Sequence, residues 1–203
     1  MFDTSEKKER ALGVKLFLKA NRCNSQKCAT IRRPQRPGLH GKARRTLSEF
    51  GSQLAEKQKI KFSYGIREAQ MQKVFDTASK SKGITSEMIM QLLERRLDNA
   101  VFRLGLTGSR AVARQIIGHG HIFVDGKRVS IPSYLVEVGD KISIRPKSKD
   151  FVYFKDLGEK LKNFDAPVWL KLNKETYEGE VVSKPKEYDV PFDVNMVVDY
   201  YSK

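Results

Sequence analysis

The stretch Arg95-Arg96-Leu97-Asp98-Asn99-Ala100-Val101-Phe102-Arg103-Leu104-Gly105-Leu106 continues as Thr107-Gly108-Ser109-Arg110-Ala111-Val112-Ala113-Arg114-Gln115-Ile116-Ile117-Gly118-His119-Gly120-His121 and ends Ile122-Phe123-Val124-Asp125-Gly126-Lys127-Arg128-Val129. Apolar residues recur at helical spacing through Ile89, Leu92, Leu93, Leu97, Ala100, Val101 and Leu104. With Ser86 as the N-cap and Glu87 favourable in the first turn, this predicts one helix over 87–104, ended by Gly105. Arg96 and Arg103 lie seven apart and so share a face away from that stripe. Ser109 predicts the cap of a second helix over 110–117, closed by Gly118. Val112, Ala113, Ile116 and Ile117 would point inward, and Arg110 and Arg114 would share the outer face. The open N–H groups at the start of this helix, together with those arginines, suit a phosphate. Asp125-Gly126 between apolar runs is a type I′ hairpin signal. Segments 136–138 and 141–145 read as further short strands about a turn at Gly139-Asp140.

Toward the amino end, the region is basic and punctuated. Residues 29–46 carry Arg32, Arg33, Arg36, His40, Lys42, Arg44 and Arg45 among two prolines and two glycines. That composition excludes a continuous helix and a core of its own. It predicts an extended arm, mobile alone, that orders when its guanidinium groups meet phosphates. Further upstream, Cys23 and Cys28 have a spacing that would supply half of a tetrahedral zinc site. The alternative is two small residues packed in a loop. Downstream, Thr46 and Glu49 form a capping-box pattern for a helix over 47–62. Tyr64-Gly65 interrupts it, and a second helix follows over 67–80. Phe50, Leu54, Ile60, Phe62, Val74 and Phe75 are the candidate buried positions, while Lys57, Lys59 and Lys61 add positive charge.

Toward the carboxyl end the pattern weakens. A helix is predicted over 153–161, and 167–172 reads as a strand or a docking segment. Trp169 is expected to pack rather than to bind. Val181, Val182, Val197 and Val198 are expected to return to the earlier helices.

The net charge of +15 points to a polyanion partner, and 39% apolar residues suffice for a core. Residues 1–73 hold +12 of that charge, residues 74–150 hold +5, and the remainder is −2. The amino third is therefore the electrostatic arm. No run reaches the ~20 apolar residues of a membrane span, and the charged start predicts no signal peptide. Two cysteines make no secreted disulfide framework, so an intracellular compartment is expected. There is no phosphate-binding GxxxxGK[ST] loop, no GxSxG, no HExxH and no CxxC pair. His119 and His121 lie in a glycine-histidine turn that lacks an acidic partner at a telling spacing. Two other functional classes compete: an RNA-modifying enzyme, which needs a second, catalytic domain, and a DNA-binding helix-turn-helix protein.

The residues Arg96-Leu97-Asp98-Asn99, Arg103-Leu104-Gly105, Ser109-Arg110, Ala113-Arg114-Gln115, Gly118-His119-Gly120 and Val124-Asp125-Gly126-Lys127 resemble a small RNA-binding module. That module is named after the fourth protein of the small ribosomal subunit, written S-four here, and is shared with several RNA enzymes. Arg33-Pro34, Pro37-Gly38-Leu39-His40-Gly41, residues 54–59, Tyr64-Gly65 and the end from Asn195 to Lys203 extend the resemblance to bacterial-type ribosomal S-four proteins. It covers the chain from about residue 13 onward. The resemblance implies an α+β fold: an extended basic amino-terminal arm, a helical domain, and an inserted module of helices packed on a short antiparallel sheet. The expected divisions are 1–46 for the arm, 47–86 for the helical domain, 87–150 for the module, and 151–203 for a segment returning to the helices.

It also implies a non-enzymatic constituent of the small ribosomal subunit in the cytoplasm or an organelle. Such a protein binds small-subunit rRNA, nucleates assembly, lies beside the S-five protein and mRNA at the entry channel, and bears on accuracy. With the charge pattern, the expected rRNA-contacting set is Arg32, Arg33, Arg36, His40, Lys42, Arg44, Arg45, Arg96, Asp98, Arg103, Ser109, Arg110, Arg114, Gln115, His119 and Lys127. Zinc-binding relatives carry a CxxC pair ahead of the pair matched by Cys23 and Cys28. Glu6 and Glu9 stand there in this chain, so no cofactor is expected. Asp125 stands where the family commonly has Asn, a change that still suits the turn.

Overall fold

The computed structural model describes residues 6–23, 25–43, 46–148, 151–162, 164–186, 188 and 190–202. In chain order the elements are α1 (Glu6–Leu12), α2 (Ala20–Cys23), α3 (Ala29–Arg32), α4 (Glu49–Ser63), α5 (Glu68–Ser79), α6 (Thr85–Glu94), α7 (Leu97–Arg103) and α8 (Arg110–Gly118). They are followed by β1 (Ile122–Val124), β2 (Lys127–Arg128), β3 (Lys141–Ile144), a 3-10 turn (Pro146–Ser148), α9 (Val152–Lys155), α10 (Leu157–Leu161), β4 (Leu170–Asn173), β5 (Glu178–Val181) and α11 (Val194–Ser202). The chain divides into two units, one of Met1–Met90 with Tyr188–Lys203 and the other of Gln91–Glu187.

In the first unit, α4 begins two residues later than expected. Ser48, not Thr46, is the cap: its Oγ accepts from Gly51 N at 3.2 Å. The start of α5 is closed by Gln70, whose Oε1 accepts from Arg67 N at 3.0 Å. Ile60, Tyr64, Ile66, Met71 and Ala78 are buried here, with Val197 from α11. Phe50 is not; it lies exposed beside Tyr200, with ring centroids 5.5 Å apart. The α11 helix docks through aromatic rings, Phe75 on Tyr201 at 5.0 Å and, just ahead of the helix, Tyr64 against Phe192 at 6.4 Å.

One glutamate ties that packing together. Glu68 accepts from Lys57 Nζ at 2.8 Å, Lys61 Nζ at 2.9 Å and Tyr201 Oη at 2.7 Å. Burial alone would raise its pKa, but these three donors outweigh burial and hold it at about 2. Burial and then the bond to Glu68 push the Tyr201 hydroxyl up. Lys59 pairs with Glu56. The three lysines expected to add open positive charge are thus all ion-paired.

The second unit is a five-stranded antiparallel sheet, ordered β2-β1-β3-β5-β4, carrying helices on its apolar side. Its core joins Leu97, Ala100, Val101 and Leu104 of the α7 segment, Ala113, Ile116 and Ile117 of α8, Ile122, Val124, Ile142 and Ile144 of the strands, and Trp169. The hairpin forms at Asp125 (φ 48°) and Gly126 (φ 75°), the left-handed pair a type I′ turn demands. Gly179 lets β5 lie against Leu104, since a Cβ there would sit 2.4 Å from its Cδ1.

Three expectations are corrected in this unit. The single helix over 87–104 is two, broken at Arg95-Arg96. The break is a piece of strand-like pairing: Arg96 is extended (φ −65°, ψ 137°) and bridges Leu135. Around it, Leu97 N donates to Tyr134 O, Asp98 N to Pro132 O and Val136 N to Arg95 O, at 2.8, 3.1 and 2.9 Å. These long-range bonds replace the helical ones and outweigh the local periodicity. The segment 136–138 forms no further strand beyond that bridge. The 153–161 helix is also two short ones, divided at Asp156.

The division at 151 moves as well. Residues 151–187 stay with the sheet, because β5 pairs with β3 through Lys141 opposite Glu180 and Ile142 opposite Gly179. Val181 is buried in that core, and only the end carrying α11 and Val197 returns to α4.

Candidate nucleic-acid interface

The break at Arg95-Arg96 is what builds the candidate site. It turns α7 so that its first residues face α8, and two buried carboxylates then organise the arginines. Asp98, at the start of α7, takes Arg96 in a forked contact, Nε to Oδ1 at 3.1 Å and Nη2 to Oδ2 at 2.9 Å. Arg114, from α8, reaches the same Oδ2 through Nε at 3.1 Å and through Nη2. Glu94, the last residue of α6, takes a second fork from Arg103, at 3.1 and 3.0 Å. Asn99 links the next member: its Nδ2 donates to Glu94 Oε2 at 2.8 Å, and its Oδ1 accepts from Arg110 Nε at 2.8 Å. The Arg110 guanidinium also lies 4.7 Å from the centre of the Phe102 ring.

Burial decides how this network behaves. The side chains of Asp98 and Glu94 are each 2% exposed, whereas those of Arg103 and Arg114 are 23% and 28% exposed. The negative ends lie inside, and the Arg103 and Arg114 side chains stay partly exposed. Such an arrangement fixes donor direction before any ligand arrives, at the cost of desolvating the ions, several kcal/mol each. It presents planar donors, which suit phosphate oxygens.

Of the expected contact residues, the structure brings Arg96, Asp98, Arg103, Arg110 and Arg114 into this one network, with Ser109 as the buried cap of α8. Arg96 does not face outward with Arg103; its side chain is 9% exposed. Asp98 is an internal anchor for two arginines rather than an outer contact. Gln115, His119 and Lys127 are exposed on the same unit. Sequence reasoning missed Glu94, Asn99 and Arg95, whose Nε donates to Val136 O at 2.9 Å. An acid directly before an arginine pair, on the apolar stripe of its helix, was the available signal.

The other basic residues lie in the first unit. Arg32, Arg33, His40 and Lys42 are exposed there, and Arg36 is half-buried. Arg44 and Arg45 lie outside the described residues. The arm differs from the extended, mobile segment expected of it. Arg10 Nε donates to Arg33 O at 2.7 Å and Gln35 O at 3.0 Å, while Arg36 donates to Ala11 O from Nε and Nη2. Two arginines are thus occupied in latching the arm to α1. Lys7, Arg10, Lys19, Arg33 and Arg36 line a cleft of about 640 Å³ between them.

Cys23 and Cys28 are buried free thiols. Glu9 Oε1 already accepts from Leu16 N at 2.8 Å and Leu18 N at 3.3 Å, and Cys28 Sγ lies 2.9 Å from Thr30 Oγ1. Arg22 lies 3.1 Å from Glu6 Oε1. Burial raises the Cys23 thiol, with Glu9 adding to it, whereas at Cys28 burial is outweighed by hydrogen bonds from Thr30, which lower that thiol. Among the described residues no group of three His, Cys, Asp or Glu is placed to hold a metal ion. No helix among them is long and apolar enough to cross a membrane.

Comparison with known proteins agrees with this layout. Residues 3–94 match the family model described as ribosomal protein S4/S9 N-terminal domain, and residues 95–142 match the S4 domain. The small ribosomal subunit protein uS4 of Thermoanaerobacter sp. (strain X514) is 48% identical over 196 residues, covering 96% of this chain and 94% of the relative. That of Caldicellulosiruptor saccharolyticus is 47% identical over the same share. The protein uS4A of Alkaliphilus oremlandii is 48% identical, again over 96% and 94%.

Proposed function

We propose, for a chain that belongs to the uS4 family of small ribosomal subunit proteins, that its carboxylate-anchored arginines bind small-subunit rRNA directly. The family is structural and not enzymatic. The observation that carries the reading is the network around Asp98 and Glu94, which holds four guanidinium groups in fixed directions on one helix pair. Fixed, planar donors on a rigid support suit a folded RNA recognised by its backbone and shape. The contact set then comprises Arg103, Arg110 and Arg114 with Gln115, His119 and Lys127, joined by Arg32, Arg33, Arg36, His40, Lys42, Arg44 and Arg45 from the basic arm, while buried Arg96 acts from within the network. Asp98 and Ser109 serve by positioning their neighbours.

On this reading the protein nucleates assembly of the subunit, lies beside the S-five protein and mRNA at the entry channel, and contributes to accuracy in a cytoplasmic or organellar ribosome. These finer roles rest on family resemblance. The amino-terminal knot works without zinc, with the Glu9 carboxylate bonding the backbone instead of a metal. Elemental analysis of protein purified in zinc-containing medium should find far less than stoichiometric zinc.

The direct test is filter binding of a small-subunit rRNA transcript by the double variant Arg110→Ala, Arg114→Ala. Affinity should fall at least tenfold, with the circular dichroism spectrum unchanged. Unchanged affinity would refute the role given to the helix pair.

A further inference from the structure

Three aromatic rings at one end of the sheet do no evident work in holding the arginine network. His121 lies between the turn closing α8 and the start of β1. Its ring is stacked on Phe151, with centroids 5.4 Å apart and planes at 18°. Behind it, Phe154 meets His121 edge-on at 6.5 Å. Its Nδ1 lies 2.9 Å from Ser148 Oγ. His121 is therefore held by a hydrogen bond and by two rings, and cannot swing freely.

Phe151 is the outer plate of this stack. It is 51% exposed, whereas Phe154 is 4% exposed and belongs to the core. A core role explains Phe154 but not Phe151. A large apolar ring, rigidly backed yet half in water, is a surface prepared for a flat partner.

The surroundings say which kind of partner. The charged groups acting on His121 are His119, Arg145 and Arg128, and none of them is a carboxylate. His119 is exposed, its ring 6.1 Å from that of His121. The Arg128 side chain lies across Gly120, where a Cβ would sit 2.1 Å from its Nε. Any larger residue at that position would displace the guanidinium. Burial, and then the neighbouring His119, Arg145 and Arg128, lower the His121 pKa, which favours the uncharged ring.

An exposed plate with a cationic rim matches an unpaired nucleotide: the base has a flat face, and its phosphates are anionic. We infer that the Phe151–His121 stack is a platform for one unpaired nucleobase of the bound RNA, with Arg128 and Arg145 facing its flanking phosphates. This rests on the RNA-binding reading above and adds a contact of different chemistry to it. The arginine network addresses backbone charge, whereas the platform addresses a base splayed out of its helix. A protein partner would also cover Phe151, but a rim of cations favours the polyanion.

The test uses the full chain and a small-subunit rRNA transcript, in filter binding over a series of salt concentrations. Phe151→Ala and Phe151→Leu should each weaken binding by ~5- to 100-fold, as stacked bases do on loss of the ring. The dependence of log affinity on log salt should stay parallel to that of the unaltered chain, since no charge is removed. Phe151→Trp should restore or tighten binding. Leucine equal to phenylalanine, or a loss that vanishes at high salt, would overturn the platform. Unchanged RNA affinity with reduced incorporation into subunits would mean that a protein covers Phe151, which also overturns it. The two readings fail separately: if the unaltered chain does not bind the transcript, the RNA-binding reading falls and takes the platform with it. Binding that is lost in the double variant Arg110→Ala, Arg114→Ala but kept in Phe151→Leu removes the platform alone.

Discussion

Arginine is held in two different ways in the two units of this chain. In the unit of Gln91–Glu187, Arg96, Arg103 and Arg114 are held by carboxylates that are almost completely buried. In the amino-terminal unit, Arg10 and Arg36 are held by backbone carbonyls at Arg33, Gln35 and Ala11. A carboxylate fixes a guanidinium and offsets part or all of its charge, whereas a carbonyl fixes it and leaves the charge intact. The first arrangement trades long-range attraction for defined direction. The second keeps attraction and provides only a latch. The charge distribution follows this division, with +12 carried by residues 1–73 and +5 by residues 74–150. On the proposed reading, attraction over distance belongs to the arm and geometric selection to the helix pair.

The comparison breaks most readily at Asp98. Replacing it with alanine leaves Arg96, whose side chain is 9% exposed, without its anchor. Unfolding in urea should show a loss of ~3–5 kcal/mol, the usual cost of stranding one member of a buried pair. Arg10→Ala in the arm removes bonds to two carbonyls at an exposed edge and should cost no more than ~1–2 kcal/mol. Equal losses at the two sites would end the distinction between the two kinds of anchor.

A smaller effect sharpens the comparison by salt. Arg33 and Lys42 are exposed and lie in the basic arm. Changing both to alanine should reduce the steepness of log affinity against log salt by ~1.4–1.8, or ~0.7–0.9 for each phosphate left without its cation. Changing Arg110 and Arg114 should lower affinity with a smaller change in slope for each residue, because Arg114 already shares its charge with Asp98. Filter binding between about 50 and 300 mM salt, a range over which screening strengthens markedly, separates the outcomes. A slope change that is larger for the helix pair than for the arm would contradict the division of labour.

Much of this arrangement is legible in the sequence, and the exceptions share one cause. The second helix with its Ser109 cap and the Asp125-Gly126 hairpin depend on interactions within a few residues, and both are where the pattern places them. The core stripe from Ile89 to Leu104 is also correct in its inward residues, apart from Leu92, which is half-buried. What the pattern does not carry is the break at Arg95-Arg96. That break depends on Pro132, Tyr134 and Val136, more than thirty residues away. With an unbroken helix, Arg96 and Arg103 fall on one outer face; with the break, each finds its own buried acid. The same blindness to distant pairing assigns residues 151–187 to the helices, although Gly179 and Glu180 complete the sheet. Composition makes the arm mobile because it reports only the lack of a core. It does not report that Arg10 and Arg36 are positioned to reach carbonyls across about twenty-five residues of chain.

The smallest expected effect tests whether burial, rather than pairing as such, distinguishes the anchors. Glu68 in the amino-terminal unit also gathers several donors, namely Lys57, Lys61 and Tyr201, but its side chain is 44% exposed. Its pKa of about 2 lies below the ~4.3 of an unperturbed glutamate. Its contribution to stability is therefore complete above pH ~4.3 and is lost as the pH falls through about 2. Solvent screening at a half-exposed carboxylate should keep that contribution below ~1 kcal/mol. Urea unfolding of the unaltered chain and of Glu68→Gln should differ by that amount at about pH 6, and the gap should close toward about pH 2. A gap that stays constant across this range would show that the glutamate acts through packing. A gap of the size expected at Asp98 would show that a half-exposed carboxylate anchors as firmly as a buried one, and burial would then no longer separate the two kinds of anchor.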